Sequence, residues 1–380
     1  MYCRCCALIS SASSFIRRFA ISPGCLRSKS RLPSAVVCIR SRIWRVVVTI
    51  QITILGLNQI GASIGLALGK MKDQVTRIGN DREPSIARQA EKMGAVDKLV
   101  INLPGAVRDA DVVILALPID EVRETIEIIA PDIKPGCVLV DTSPVQGAVT
   151  QWARELLPGE DRYFISMTPS LNPAYLLEIG AGVGQAHADL FNKGVMVITS
   201  PPGTDESALV LAANLTAALG ATPLFSDATE ADSLLAYSRI LPHLAAAALV
   251  NATTTQPGWR EARKLAGSDY AIASQPLEQM NELKTPGQGA LLNAEPVARI
   301  LDQLILELIQ MRDAIRDQDA ALLAERLDNA RKARATWLAE RRRAEWETRT
   351  DQSVPLPTGG EVLGRLFGIR PRSKDKNQRK

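Results

Sequence analysis

The stretch from Val46 to Asp81, VVVTIQITILGLNQIGASIGLALGKMKDQVTRIGND, restricts the fold more than any other part of the chain. A β-branched apolar run ends at Gly56. A helical pattern follows from Ile60 to about Lys70, and a second short strand, Val75 to Gly79, leads to Asp81. Strand, glycine turn, helix, strand and acid in this order form the unit that binds dinucleotides. Gly56 lets the chain turn off the strand, and Gly61 lets the helix pack close to the sheet. The free N–H groups at the helix start attract a pyrophosphate. Asp81 stands where a carboxylate accepts ribose hydroxyls and disfavours a 2′-phosphate, so NAD is the expected cofactor, with NADP possible because Arg82 follows directly. The middle glycine of G-x-G-x-x-G is Asn58 here. Its side chain occupies space that glycine leaves open, although asparagine tolerates a left-handed backbone better than most residues.

Charge is unevenly spread over the 380 residues. The formal net charge is +4, yet residues 1–45 contain Arg and Lys but no Asp or Glu, and the remainder is slightly acidic. A basic groove for nucleic acid therefore has no support in the body of the chain. The same 45 residues hold Cys3, Cys5, Cys6, Cys25 and Cys38, leaving Cys137 elsewhere. They read as a targeting peptide, a metal-binding tract with poor ligand spacing, or sequence preceding the true start, the last being favoured and disorder expected. A lone cysteine in the body argues for a reducing cytoplasm. No apolar run is read as approaching the ~20 residues of a membrane helix, so no membrane association is expected.

Apolar strands and helices alternate after Asp81. DVVILALP and CVLVDTSP read as buried parallel strands, and Tyr163–Ser166 opens another. This is an α/β, Rossmann-type doubly wound parallel sheet over residues 46–227. Ligands of such sheets bind beyond the carboxyl ends of the strands, which places Gly56–Gly61, Asp81, Pro118, Ser143 and Thr168 along one crevice. From 228 to 347 the pattern is all-helical. A long helix is interrupted at Pro242, and Ile300, Leu301, Leu304, Ile305 and Leu308 share one face. Such faces suggest a homodimer. Residues 348–380 form a basic tail, expected to be mostly disordered, in which EVLGRLFGIR is a candidate short helix. Asp120 and Glu121 suit a helix N-terminus, and His187 is expected at the surface.

ITILGLNQIGASIGLAL, EKMGAVDK, AVRDADVVILALPIDEV, DLFNKGVMVITSPPGTDESA, the LPH at Leu241–His243, ALVNAT and the AGSD at 266–269 occur in an order and spacing that resemble the prephenate/arogenate dehydrogenase family over roughly residues 50 to 340. The resemblance implies NAD(P)-dependent oxidative decarboxylation of prephenate or arogenate on the route to tyrosine. It implies that Thr168 stands where the family has its catalytic histidine, followed by the matching Pro169. It also implies that Pro144 replaces the family's serine, with Ser143 one place earlier, and that Lys264, beside Arg260 and Arg263, takes the position of a carboxylate-binding arginine. His243 is retained; it either approaches the active site or packs as a core or capping histidine. No metal site is expected. Two other readings stay open: the changes at Thr168, Pro144 and Lys264 suit a related dehydrogenase for a different small carboxylate, and Asn58 with Thr168 suits a dinucleotide-binding homologue that has lost catalysis.

Overall fold

The computed structural model describes residues 49–344 and 346, except 158, 160, 179, 181 and 279–284. The expectations for residues 1–45 and for the tail from 348 lie outside the described residues. The chain forms β1 (Ile50–Leu55), α1 (Gln59–Leu68), β2 (Val75–Asn80), α2 (Pro84–Lys92), β3 (Lys98–Leu99), α3 (Leu103–Val107), β4 (Val112–Leu115) and α4 (Ile119–Ile129). It continues with β5 (Val138–Asp141), α5 (Gln146–Leu156), β6 (Tyr163–Pro169), β7 (Val195–Thr199), α6 (Glu206–Ala218) and β8 (Thr222–Phe225). Helices alone follow: α7 (Ala228–Leu235), α8 (Leu241–Thr254), α9 (Trp259–Ala262), α10 (Ser268–Ser274), α11 (Thr285–Leu292), α12 (Ala294–Arg316) and α13 (Ala320–Arg343).

One sheet runs in the order β3-β2-β1-β4-β5-β6-β7-β8. The first six strands are parallel. β7 pairs antiparallel with β6, and β8 lies parallel to β7, so the sheet is mostly rather than wholly parallel. Both faces are covered, which is why the strands read as continuous apolar runs. Val112 and Ile114 of β4 join the cluster under α1, α2 and α6, whereas Val113 and Leu115 join the one under α3, α4 and α5. β6 extends to Pro169, so Thr168 is itself a strand residue, opposite Val197.

An internal ion pair secures the first crossover. Arg77 of β2 bonds Asp97 and the carbonyl oxygens of Gly65 and Gly94. The guanidinium holds the Asp97 carboxyl below the usual range.

Pro242 does not interrupt its helix. A π-turn over Ala236–Ile240 passes the chain into α8, where Pro242 lies in the first turn. A proline's missing N–H is tolerated there. The resulting helix, Ala228–Thr254, is long enough to cross a membrane, and an 18-residue stretch of it, with a mean hydropathy of 1.4, is apolar enough by composition. This corrects the expectation that no such run exists. The small core of this region joins Ala236 and Ile240 to Val297, with Leu244 and Ile300 beside them. Farther along α12, Ile305 and Leu308 keep 52% and 57% of their surface exposed in the single chain, so the face expected to be buried is only partly so.

Candidate active site

The carboxyl ends of β1, β2, β4, β5 and β6 form one edge. Gly56, at φ +87°, turns the chain off β1, and a Cβ there would lie 2.3 Å from the Ala116 carbonyl oxygen. Gly61 sits in the first turn of α1, where a Cβ would come within 1.9 Å of the Gly56 carbonyl oxygen. Both glycines are required by close backbone approach.

Asn58 takes a different part from the one expected. Its backbone is extended, at φ −68° and ψ −169°, rather than left-handed. Its side-chain oxygen accepts the N–H groups of Ile60 and Gly61, and its amide donates to the Ala116 carbonyl at 2.8 Å. Asparagine thus caps α1 and ties the turn to the end of β4. Asp81 accepts Leu57 N–H at 2.7 Å and Glu83 N–H at 2.8 Å, which aims its carboxylate across the turn. Arg82 points into solvent and pairs with Glu121 in the first turn of α4. Pro118 occupies the position before α4.

A buried polar group lies behind the ends of β5 and β6. Asp141 accepts the hydroxyl of Ser143 at 2.6 Å and its N–H at 3.1 Å. Burial pushes the Asp141 carboxyl up to about 7, against the lowering effect of Ser143. Thr168 donates to the Ser143 carbonyl oxygen and accepts from the Gln146 side chain at 2.9 Å. Asp141 Oδ1 and Gln146 Oε1 have no partner among the described residues.

The start of α5 is capped from far along the chain. Val145, at its N-cap position, has no capping side chain. Asp232 of α7 instead accepts Gln146 N–H at 2.6 Å and Gly147 N–H at 2.9 Å. Burial raises the Asp232 carboxyl while these two N–H groups lower it. Asp232→Ala would orphan both donors. It is expected to destabilise the chain by about 2 kcal/mol, read as a lower urea midpoint; Asp232→Asn, which keeps one acceptor, should lose about half as much. Equal midpoints for wild type and Asp232→Ala would show that the cap contributes nothing.

His243 packs in the first turn of α8, half-buried, with Nδ1 2.8 Å from the Arg239 carbonyl oxygen. A carbonyl only accepts, so Nδ1 carries the proton and Nε2 presents a lone pair. Nε2 has no partner among the described residues. Lys264 and Arg260 are exposed, and Lys264 pairs with Glu261. The hydrogen bonds of their segment stay within the helical region, as where Tyr270 meets Thr253. The structure thus gathers Gly56, Asn58, Gly61, Asp81, Pro118, Ser143 and Thr168 along the edge, while Lys264 and Arg260 belong to a separate exposed segment. His187, expected at the surface, is half-buried: its ring stacks on Tyr175 at 4.1 Å, Nε2 meets Glu178, and its N–H donates to Ser63 of α1. Gln146 and Asp232 were not anticipated, because a link between residues 86 apart leaves no local pattern. Arg239, one helical turn before His243, was not anticipated either.

Fold and edge together define a nucleotide-binding α/β protein with an appended helical region. Known proteins agree. Residues 64–224 match the family model for the prephenate dehydrogenase nucleotide-binding domain, and residues 227–329 match the one for the prephenate dehydrogenase dimerization domain. The cyclohexadienyl dehydrogenase of Zymomonas mobilis is 25% identical over 297 residues, covering 75% of this chain and 94% of that protein. A Streptomyces niveus protein described as a probable prephenate dehydrogenase is 30% identical over 273 residues, 71% of this chain and 70% of that one. In fold, the prephenate dehydrogenase of Aquifex aeolicus, crystallised with hydroxyphenyl propionate and NAD+, superimposes with a TM-score of 0.66 at 19% identity, covering 76% of this chain and 98% of that one. The chain belongs to the prephenate/arogenate dehydrogenase family, and is an oxidoreductase of that type.

Proposed function

We propose that this chain oxidises and decarboxylates a cyclohexadienyl carboxylate, prephenate or arogenate, with NAD, and that His243 rather than Thr168 manages the proton. The observation that carries the reading is the intact cradle of Gly56, Asn58, Gly61 and Asp81 in a chain of this family. Each residue there fits the group. The turn admits a close backbone approach, α1 directs its N-terminus outward, and each Asp81 oxygen retains acceptor capacity for a ribose hydroxyl. Asp81 supports NAD over NADP, and Arg82 pairs at the surface with Glu121. When bound, the nicotinamide accepts hydride from the ring carbon.

Thr168 is unsuited to be the base. Its hydroxyl proton is committed to the Ser143 carbonyl, its oxygen accepts from Gln146, and only 2% of its surface is exposed. Its part is to position the loop after β5. The lone pair of His243 Nε2 can hold the proton of the ring hydroxyl as hydride departs. It returns that proton to the same oxygen when the carboxylate leaves as carbon dioxide and the ring becomes aromatic. The apolar helical faces and the dimerization-domain match support a homodimer. The free, buried Cys137 suits a reducing cytoplasm.

The test is NAD reduction, followed at 340 nm, with prephenate and arogenate assayed side by side. Turnover of at least one is expected, and His243→Asn should lower kcat by about 100-fold or more with little change in NAD affinity. Absence of turnover with either compound, with NAD still bound, would favour a different small carboxylate or a lost activity. Full activity in His243→Asn would remove the assigned proton carrier.

A further inference from the structure

Among the described residues, eight buried side-chain nitrogen and oxygen atoms have no hydrogen-bond partner, and five of them belong to one layer between β5–β7 and α5. Three come from adjacent strands. Asp141, at the end of β5, stands opposite Ser166 of β6, and Ser166 stands opposite Thr199 of β7. Residues paired in register share a face, with Cβ atoms about 5 Å apart. That face is the one under α5: Leu139 and Phe164, two residues before Asp141 and Ser166, join the cluster there. The other two atoms come from α5, which returns against the strands because β5 and β6 are parallel. Gln146 bonds Thr168 at 2.9 Å. Thr150 follows one turn along α5, about 6 Å away. Ser166 precedes Thr168 by one pleat of β6, about 6.6 Å. The two steps match, which brings Thr150 over Ser166. Asp141, Gln146 and Ser166 are wholly buried, and Thr150 and Thr199 are 7% and 2% exposed.

The unpartnered atoms are Asp141 Oδ1, Gln146 Oε1, Thr150 Oγ1, Ser166 Oγ and Thr199 Oγ1. Leaving so many buried polar atoms unpaired is costly, and water is the ligand that meets their chemistry. The three hydroxyls each donate and accept. Thr168 has given its proton to the Ser143 carbonyl, so the Gln146 nitrogen faces it and Oε1 is left as an acceptor. Both bonds from Ser143 end on Asp141 Oδ2. Oδ1 is therefore the oxygen that carries the proton when this carboxyl is neutral. A water accepts from the protonated Oδ1 and donates to the ionised one, which a fixed side chain cannot do. We propose that this layer binds ordered water, about two molecules at about three hydrogen bonds each, joining Asp141, Ser166 and Thr199 to Thr150 and Gln146. The water fastens the start of α5 to three strands, directly behind the contact between Gln146 and Thr168. It does so whatever reaction the chain catalyses.

The test is a crystal structure of the full chain at a resolution better than about 1.8 Å, with the water as its own probe. Density is expected within about 3.2 Å of Ser166 Oγ and of at least one other of the five atoms. Thr199→Val keeps the shape of the side chain and removes the hydroxyl; Ser166→Ala removes the central one. Each should lose ordered density from the layer and lower the urea midpoint. Because the two hydroxyls share the water, the double variant should lower the midpoint by clearly less than the two single shifts added together. If Ser166→Ala does not fold, the wild-type density and Thr199→Val still decide. A layer without density would overturn the proposal, whether the five atoms stay unpaired or pair directly after side-chain rotation. So would an anomalous peak there after a rubidium soak, which would assign a monovalent cation instead of water.

Discussion

Gly61→Ala is expected to cost about 3 kcal/mol of stability, the upper part of the range for forcing extra volume into a packed interior. It should also weaken NAD binding by about 100-fold, or about 2.7 kcal/mol. The added methyl would stand 1.9 Å from the Gly56 carbonyl oxygen and 3.1 Å from the Ala116 side chain. The first is backbone held in the turn, so α1 itself must shift. That shift would break the bonds from Ile60 and Gly61 to Asn58, and with them the alignment of the cradle. Gly105→Ala is the matched control, because a methyl there meets nothing closer than 3.6 Å. Urea unfolding and NAD titration of the two variants read both effects. A Gly61→Ala protein that binds NAD as wild type does would mean that the cradle is not the cofactor site.

The second large effect is a pH dependence set by Asp141. Its carboxyl is raised from 3.8 to about 7 because the side chain is wholly buried. Below pH 3.8 both folded and unfolded chains hold this proton. Between about pH 4 and 7 the folded chain keeps a proton that the unfolded chain releases, so stability falls as pH rises through this window and levels off above it. The full shift corresponds to at most about 4 kcal/mol. Asp141→Asn cannot titrate, and its amide oxygen can still accept from Ser143. Its stability relative to wild type should therefore increase by about 2–4 kcal/mol between pH 4.5 and 8. Parallel urea midpoints for the two proteins across that range would rule out a native carboxyl titrating near neutrality.

The sequence made the cradle legible because each requirement there is local. Gly56 ends an apolar run, Gly61 follows five residues on, and Asp81 closes the next strand. The edge was legible for the same reason, since the end of each strand marks its position. Strand direction was not: the apolar run Val195–Thr199 reads the same whether parallel or antiparallel to its neighbour. The helical region was harder still. Spacing placed Ile300 and Leu308 on one face, but spacing reports apolarity, not what covers it, and Leu308 stands largely exposed in the single chain. Pro242 signals a break when read alone, because nothing local reveals the π-turn that accommodates it. Nothing local marks Gln146; only the fold brings Thr168 and Asp232 to it.

The cap that α7 supplies to α5 makes the two regions poor modules. A chain cut near residue 227 would keep every strand and still lose the carboxylate that completes one of its helices. A chimaera carrying a foreign helical region would need an acid at the place of Asp232, held at the same distance, before Thr168 and Gln146 could resume their arrangement. A change at Asp232 in the helical region is therefore felt at the start of α5, where Gln146 meets Thr168.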